Sequence, residues 1–249
     1  MPRYFLEVAY KGTVYSGFQV QDNARSIQEE VEKAFATFFR QPVTLTGASR
    51  TDTGVHALQN YFHFDFEPQI MREAVYRLNA ILPADISIQG IRVMPEGAHC
   101  RFDAESREYR YHVYSVKNPF LADRAYFYPF PLDLSRLQEV AGRLPAFNDF
   151  TSFSKRNTQV NHFRCTIFES EWKLEEGVLI YRIRANRFLR GMVRGLTGTM
   201  LGVGRGRVTA SEFEEIILGK DPARVNFNVP AKGLFLERVN YPAGYLLEN

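Results

Sequence analysis

The run Gly47-Ala48-Ser49-Arg50-Thr51-Asp52-Thr53-Gly54-Val55-His56 holds the residue types best suited to chemistry. It is small, polar and dense in hydrogen-bonding side chains, and Gly54 can supply a backbone geometry that other residues avoid. In such a tight loop Asp52 has two readings. It can form a turn or cap a helix, with Arg50 as a solvated neighbour, or it can be held in a cleft as a nucleophile or base. Spacing alone favours the first reading.

Other chemistries are less well supplied. His56, His63, His99, Cys100, His112, His162 and Cys165 show none of the usual zinc-ligand spacings, and no His-Glu-x-x-His occurs, so no metal site is expected. Gly202-Val203-Gly204-Arg205-Gly206-Arg207 is similar to a glycine-rich phosphate loop, but it lacks the Gly-Lys-Ser/Thr ending of a P-loop and no clear strand precedes it. The nucleophile-elbow pattern of serine hydrolases is absent. The formal net charge is only +3, yet seven arginines and no acid lie between Arg182 and Arg207. Arginine binds phosphate bidentately and stacks on bases, so this cluster is a candidate RNA face. The alternative is a solvated face whose acids come from elsewhere in the fold.

Periodicity predicts the elements that must position these residues. Tyr4 to Tyr10 reads as a strand, and Ser26-Ile27-Gln28-Glu29 is a capping-box pattern opening a helix over residues 27–39. A short strand is expected at Val43 to Leu45, and a longer one where Phe62, Phe64 and Phe66 alternate with polar neighbours. A helix over 70–81, ended by Pro83, and a strand over 86–93 complete a β-α-β-α-β first hundred residues. Strands are then predicted at 108–116, 165–174, 178–185 and 233–241, with Glu175-Glu176-Gly177 as a hairpin turn. Helices are predicted at 134–144, 187–201 and 211–218. Two α/β halves sharing a sheet follow, with a boundary near residue 100.

At 249 residues, with 45% hydrophobic and 24% charged residues, the chain can bury a sizeable core. Most of its 21 Phe and 13 Tyr belong in that core, though such rings also stack on nucleobases. Two cysteines are too few for a disulfide scaffold, and no stretch approaches the roughly 18 apolar residues needed to span a membrane. The amino terminus reads as a strand rather than a secretory signal, so the expectation is a cytoplasmic protein with no membrane association.

Arg50-Thr51-Asp52-Thr53-Gly54-Val55-His56 resembles the signature loop of the TruA-type tRNA pseudouridine synthases. Further blocks occur in that family's order. Tyr10-Lys11-Gly12-Thr13-Val14-Tyr15-Ser16-Gly17-Phe18-Gln19 is similar to its amino-terminal block. His99-Cys100-Arg101-Phe102 followed by Arg107-Glu108-Tyr109-Arg110-Tyr111 is similar to its central block. Asp149-Phe150-Thr151-Ser152-Phe153, Asn186-Arg187-Phe188-Leu189-Arg190-Gly191-Met192-Val193-Arg194 and Gly233-Leu234-Phe235-Leu236 complete the set. Lys11 and Phe18 stand where the family usually has an aspartate and a tryptophan, which reads as a local change of packing or RNA contact away from the catalytic set. Arg156 to Asn161 has no clear counterpart.

The resemblance implies an α+β pseudouridine synthase fold: a mixed, mostly antiparallel central sheet flanked by helices, in two similar α/β halves around a cleft. Residues 1–100 would carry the catalytic loop, and 101–249 would complete the cleft and the RNA face. It implies an isomerase acting on uridines 38, 39 and 40 of the tRNA anticodon arm, as a homodimer, without cofactor or metal. Asp52 would be the essential aspartate. Tyr109 and Leu234 would touch the two sides of the flipped uracil, Arg194 would pair with Asp52, and Arg50 would help extrude the base. His99, Cys100, Arg101, Phe102 and Arg190 would contact tRNA.

The chemistry suits those residue types. The reaction breaks the N1–C1′ bond, turns the uracil and rejoins it through C5. An oxocarbenium-like C1′ calls for a nearby anion, and a base leaving its stack calls for an aromatic face. Asp52 could attack C1′ or remove a ribose proton, and the sequence leaves both routes open. Two other readings remain. One is a catalytically silent RNA-binding protein of the same fold. The other is an enzyme of small nucleotides or sugars that pairs Asp52 with Asp65 or Glu67.

Overall fold

A computed structural model describes residues 1–67, 69–155 and 160–246. In chain order the strands and α-helices are β1 (Arg3–Tyr10), α1 (Ile27–Phe39), β2 (Thr46–Gly47), β3 (His56–Asp65), α2 (Ala74–Ile81), β4 (Ile86–Met94), β5 (Ser106–Tyr114), β6 (Tyr126–Phe127), α3 (Leu134–Arg143), β7 (Ile167–Glu175), β8 (Val178–Ala185), α4 (Met192–Gly204), α5 (Ala210–Leu218) and β9 (Leu234–Asn240). Pairing is antiparallel for β1–β3, β1–β4, β2–β3, β5–β8 and β7–β8, and parallel for β3–β9 and β5–β6. The fold class is therefore α+β with mixed, mostly antiparallel strands, as expected. No helix among the described residues is long and apolar enough to cross a membrane.

Two compact units divide the chain: Met1–Glu105 with the segment from Phe235 onward, and Ser106–Leu234. In the first, the strand order is β4-β1-β3-β9, with β2 on β3. The closing strand returns to this unit because Phe235 and Leu236 pair with His56 and Ala57, a long-range pairing that chain order does not reveal. Helix α1 starts where the capping pattern places it, with the Ser26 side chain accepting from the Glu29 N–H at 3.2 Å. Its buried stripe is Ile27, Val31, Ala34 and Phe35, and Phe35 meets Phe64 edge-on at 5.2 Å. Expected alternation in β3 gives way to burial on both faces: Tyr61, Phe62, His63 and Phe64 are all buried, since Phe18 and Phe35 cover Phe62 and Phe64 on one face while Tyr241 and His99 cover Tyr61 and His63 on the other.

In the second unit β8 lies between β5 and β7, and β6 adds to β5. The β7–β8 hairpin turns through Glu176 (φ 48°) and Gly177 (φ 80°), two left-handed residues that match the twist of the strands they join. Trp172 is fully buried, stacked on Tyr181 at 5.1 Å, and its indole N–H points at Met200 Sδ at 3.5 Å. Helix α4 is buried along nearly its whole length. Gly195 and Gly198 allow that closeness: a Cβ on Gly198 would stand 2.1 Å from the Asn226 carbonyl oxygen.

Several boundaries differ from the sequence reading, among them the start of β3, which lies at His56, six residues before Phe62. The short strand lies at 46–47 rather than 43–45, paired with Phe62 and His63. Helix α2 begins at Ala74, leaving Ile70 to donate its N–H to the Tyr4 hydroxyl at 3.2 Å. Helix α4 begins at Met192, not 187, because Gly191 turns left-handed at φ 76° and stops helix geometry from extending back to Arg187.

Candidate functional site

The loop between β2 and β3 is held from below by the amino-terminal block. Gly12 donates its N–H to His56 Nδ1 at 3.1 Å, and its α-carbon lies so close to the loop that a Cβ would stand 1.9 Å from the Val55 oxygen. Phe18 donates its N–H to the Thr51 carbonyl at 3.1 Å, and Ala48 donates to Tyr61 at 2.8 Å. The Tyr10 and Thr51 hydroxyls meet at 2.8 Å, and the Asn60 amide donates to the Ser49 carbonyl at 2.8 Å. Val55 donates back to the Asp52 carbonyl at 3.1 Å, closing a turn in which Gly54 takes φ 77°. The His56 ring is buried and stacks on Phe235 at 4.6 Å. Asp52 itself is half-buried and Arg50 is exposed. Asp52 is therefore a turn-former in its backbone, while a rigid buried base presents its side chain.

Phe18 corrects one expectation. Its ring is buried, stacks on Phe62 at 4.5 Å and lies against Gly47. The change is one of packing, but directly beneath the loop rather than away from it.

His99, Cys100, Arg101 and Phe102 lie in the same unit. The His99 N–H donates to Asp103 Oδ2 at 2.6 Å, and His99 Nδ1 accepts from the N–H groups of Arg101 (3.2 Å) and Phe102 (3.3 Å). A column of rings runs outward from His63 to His99 (4.3 Å) to Phe102 (4.1 Å), with the Arg101 guanidinium 5.6 Å from the Phe102 centroid. Phe102 is 73% exposed. Cys100 is buried, with Sγ 3.1 Å from His63 Nδ1, and its carbonyl accepts from the Tyr241 hydroxyl at 2.6 Å. Burial, helped by the charges of His99 and Arg3, pushes the His63 imidazole down to about 4. Among the described residues no three His, Cys, Asp or Glu side chains group as metal ligands.

The second unit carries Tyr109, Arg190, Arg194 and Leu234. Tyr109 lies on β5 opposite Ile183 and meets Phe188 edge-on at 5.0 Å. Tyr111, two residues along and on the same face, donates its hydroxyl to the Pro230 carbonyl at 2.7 Å. That bond anchors the short 3-10 turn Ala231–Gly233, after which Leu234 is set down 7% exposed. Gly233 is required there, since a Cβ would meet the Tyr111 ring at 2.7 Å. Arg194 stands in the first turn of α4 and donates from Nε (2.9 Å) and Nη2 (2.7 Å) to the Val229 carbonyl. Arg190 precedes the helix, and its carbonyl accepts from the Lys155 N–H at 2.9 Å.

The structure reassigns other sequence signals. Of the seven clustered arginines, Arg182 pairs with Glu175 at 2.5 Å and Arg184 pairs with Glu169, so both belong to the solvated-face reading. Arg205 lies 3.9 Å from the Phe130 centroid. Gly202 to Gly204 form the last turn of α4 rather than a phosphate loop, and Gly204 packs on Leu137. Asp65 is bound by Arg3 at 2.5 and 2.9 Å, and Glu67 faces the terminal amine at 3.7 Å. Both lie at or beyond the far end of β3, about 30 Å along the strand from the loop, so neither forms a carboxylate pair with Asp52. Of the stretch from Arg156 to Asn161, residues 156–159 lie outside the described residues. Tyr10, at the end of the first predicted strand, and Asn60, just before the alternating run at 61–66, emerge as supports of the loop.

The fold class is α+β with mixed, mostly antiparallel strands, in two units of which one carries Asp52 on its braced loop and the other carries Tyr109, Arg194 and Leu234. Residues 147–242 match the family model described as tRNA pseudouridine synthase. The chain is 43% identical to the tRNA pseudouridine synthase A of Porphyromonas gingivalis, over 99% of this chain and 100% of the relative. It is 44% identical to that of Bacteroides thetaiotaomicron (97% and 91% covered) and 35% identical to that of Staphylococcus aureus (99% and 94% covered). The chain belongs to the tRNA pseudouridine synthase A family.

Proposed function

We propose that this chain isomerises uridine to pseudouridine in tRNA, at positions 38, 39 and 40 of the anticodon arm, as a cytoplasmic homodimer that needs no cofactor. What carries the reading is identity over almost the whole chain with relatives named tRNA pseudouridine synthase A. The catalytic loop supports it as well, with a half-buried Asp52 on a backbone fixed from beneath. Asp52 is the catalytic carboxylate, acting at the ribose of the target nucleoside as C1′ loses N1 and gains C5. Tyr109 offers an aromatic face to the extruded uracil, Leu234 an apolar contact, and Arg194 belongs with them in substrate binding. Arg50 assists extrusion. His99, Arg101, Phe102 and Arg190 contact tRNA, where the exposed Phe102 ring with Arg101 over it offers a stacking surface, while the buried Cys100, expected among the contacts, is out of reach of RNA and holds the segment from inside.

A catalytically silent RNA-binding protein would have no need of Asp52, Tyr109 and Leu234 together. The deciding experiment uses unmodified tRNA tritiated at uracil C5, because rejoining through C5 expels that hydrogen to water. Release by the wild type and none by Asp52→Ala is the expected result, with Asp52→Asn still binding tRNA. Equal release from both proteins, across several tRNAs with uridine at 38 to 40, overturns the assignment.

A further inference from the structure

We propose that Asn60 is a positioning residue for Asp52, acting through Tyr10 and Thr51. The inference rests on the function proposed above. Asn60 is fully buried on β3, and its side chain is committed in three directions. Nδ2 donates to the Ser49 carbonyl at 2.8 Å and to the Tyr10 hydroxyl at 3.3 Å, while Oδ1 accepts the Tyr61 N–H at 2.9 Å. The Tyr10 hydroxyl in turn meets Thr51 Oγ1 at 2.8 Å. The residues on either side of Arg50 are thus fastened to two neighbouring strands: Ser49 to β3, and Thr51 to β1 through Tyr10. Phe18 adds a third fastening at the Thr51 carbonyl. None of these bonds uses the Asp52 carboxylate. They fix the backbone that enters Asp52, and the Val55 N–H fixes the turn that leaves it.

Burial makes this network rigid. Ser49, Thr51, Asn60 and Tyr10 are all buried, so a lost donor there is not replaced by solvent, and the abandoned carbonyl is left unsatisfied. An amide is suited to the post because it donates to the loop and accepts from its own strand at once. A carboxylate in its place would set charge against the Ser49 carbonyl, and an apolar side chain would release it.

The test compares single-turnover tritium release, tRNA affinity and thermal midpoint in the wild type, Asn60→Asp, Tyr10→Phe, Thr51→Val and the Tyr10→Phe/Thr51→Val double variant. At neutral pH, Asn60→Asp should release tritium about 10- to 100-fold more slowly, the penalty for a displaced reacting group, with tRNA affinity within about twofold. Once protonated, the introduced acid can again donate to the Ser49 carbonyl. Its rate should therefore recover towards the wild type's as pH falls, while affinity stays level, a profile that a general loss of packing does not give. Tyr10→Phe and Thr51→Val remove the same bond, so the double variant should be no slower than the slower single.

A folded Asn60→Asp with the wild-type rate overturns the proposal, as does a loss seen in tRNA affinity rather than in rate. Should Asn60→Asp fail to fold, the other variants decide, and strictly multiplicative rate losses in the double variant overturn it. A wild type inactive on every tRNA sinks the functional reading and this inference with it. An active wild type whose variants match it sinks this inference alone.

Discussion

Replacing Gly12 by alanine adds one methyl group at the tightest contact beneath the Asp52 loop, the proposed catalytic loop. The new Cβ would stand 1.9 Å from the Val55 carbonyl oxygen and 2.8 Å from its carbon, whereas real Cβ contacts essentially never fall below 3.0 Å. The carbonyl must retreat by 1.1 Å, the difference between 1.9 and 3.0 Å, or the Gly12 backbone must do so instead. Neither is free to move. Val55 donates to Asp52, and Gly12 donates to His56, so either displacement pulls on the turn that carries the carboxylate. A shift of about 1 Å at a reacting group costs on the order of 100-fold in rate, and overpacking costs about 1–3 kcal/mol of stability. Single-turnover tritium release from C5-labelled tRNA should therefore fall about 100-fold in Gly12→Ala. The tRNA affinity should hold, since the methyl lies beneath the loop and removes no arginine. A variant that folds and keeps the wild-type rate would refute the claim that this contact sets the position of Asp52.

Three further outcomes follow from the geometry. Gly142→Ala, at an exposed position in α3 where a Cβ would meet nothing within 4 Å, should stabilise the protein by about 0.5–1 kcal/mol and raise its thermal midpoint in calorimetry. Tyr111→Phe strips the Pro230 carbonyl of its 2.7 Å donor and should cost about 1–2 kcal/mol in denaturant unfolding, with slower tritium release because Leu234 loses its anchor. His63 is buried neutral with its imidazole near 4, against 6.5 when unfolded, so the unfolded chain binds the extra proton first. Stability should fall as pH drops from 6.5 towards 4, and His63→Gln should show a shallower loss in melts across that range.

Local rules recovered the elements that depend on local physics. Helix α1 and strand β8 fall where the capping box and the alternation place them, because Ser26 and the hairpin turn act within a few residues. The start of α4 did not, since a helical run of side chains from Arg187 says nothing of the left-handed turn at Gly191. The site divides along the same line. Motif order singled out Asp52, but the residues that hold its loop, Tyr10 and Asn60, lie on β1 and β3 and meet through strand pairing alone. Asn60 lies just outside the alternating run at 61–66, yet the structure includes it in β3 and buries it fully. A polar side chain there has to find partners inside the protein, and the loop is where it finds them.

The arginine cluster makes the opposite point about charge. Along the chain, Arg182 and Arg184 stand in a stretch without acids, and that isolation suggested phosphate. Folding removes it, because an antiparallel hairpin brings residues far apart in sequence side by side: Glu169 pairs with Arg184 in register, and Glu175 reaches Arg182. Their charges are partly spent before any RNA arrives. Arg187 and Arg190 differ because Gly191 keeps them outside α4, and Arg194 because the partner it donates to is a neutral carbonyl, that of Val229. The hairpin pairing thus accounts for Arg182 and Arg184, and the left-handed Gly191 that ends the helix prediction sets Arg187 and Arg190 before α4.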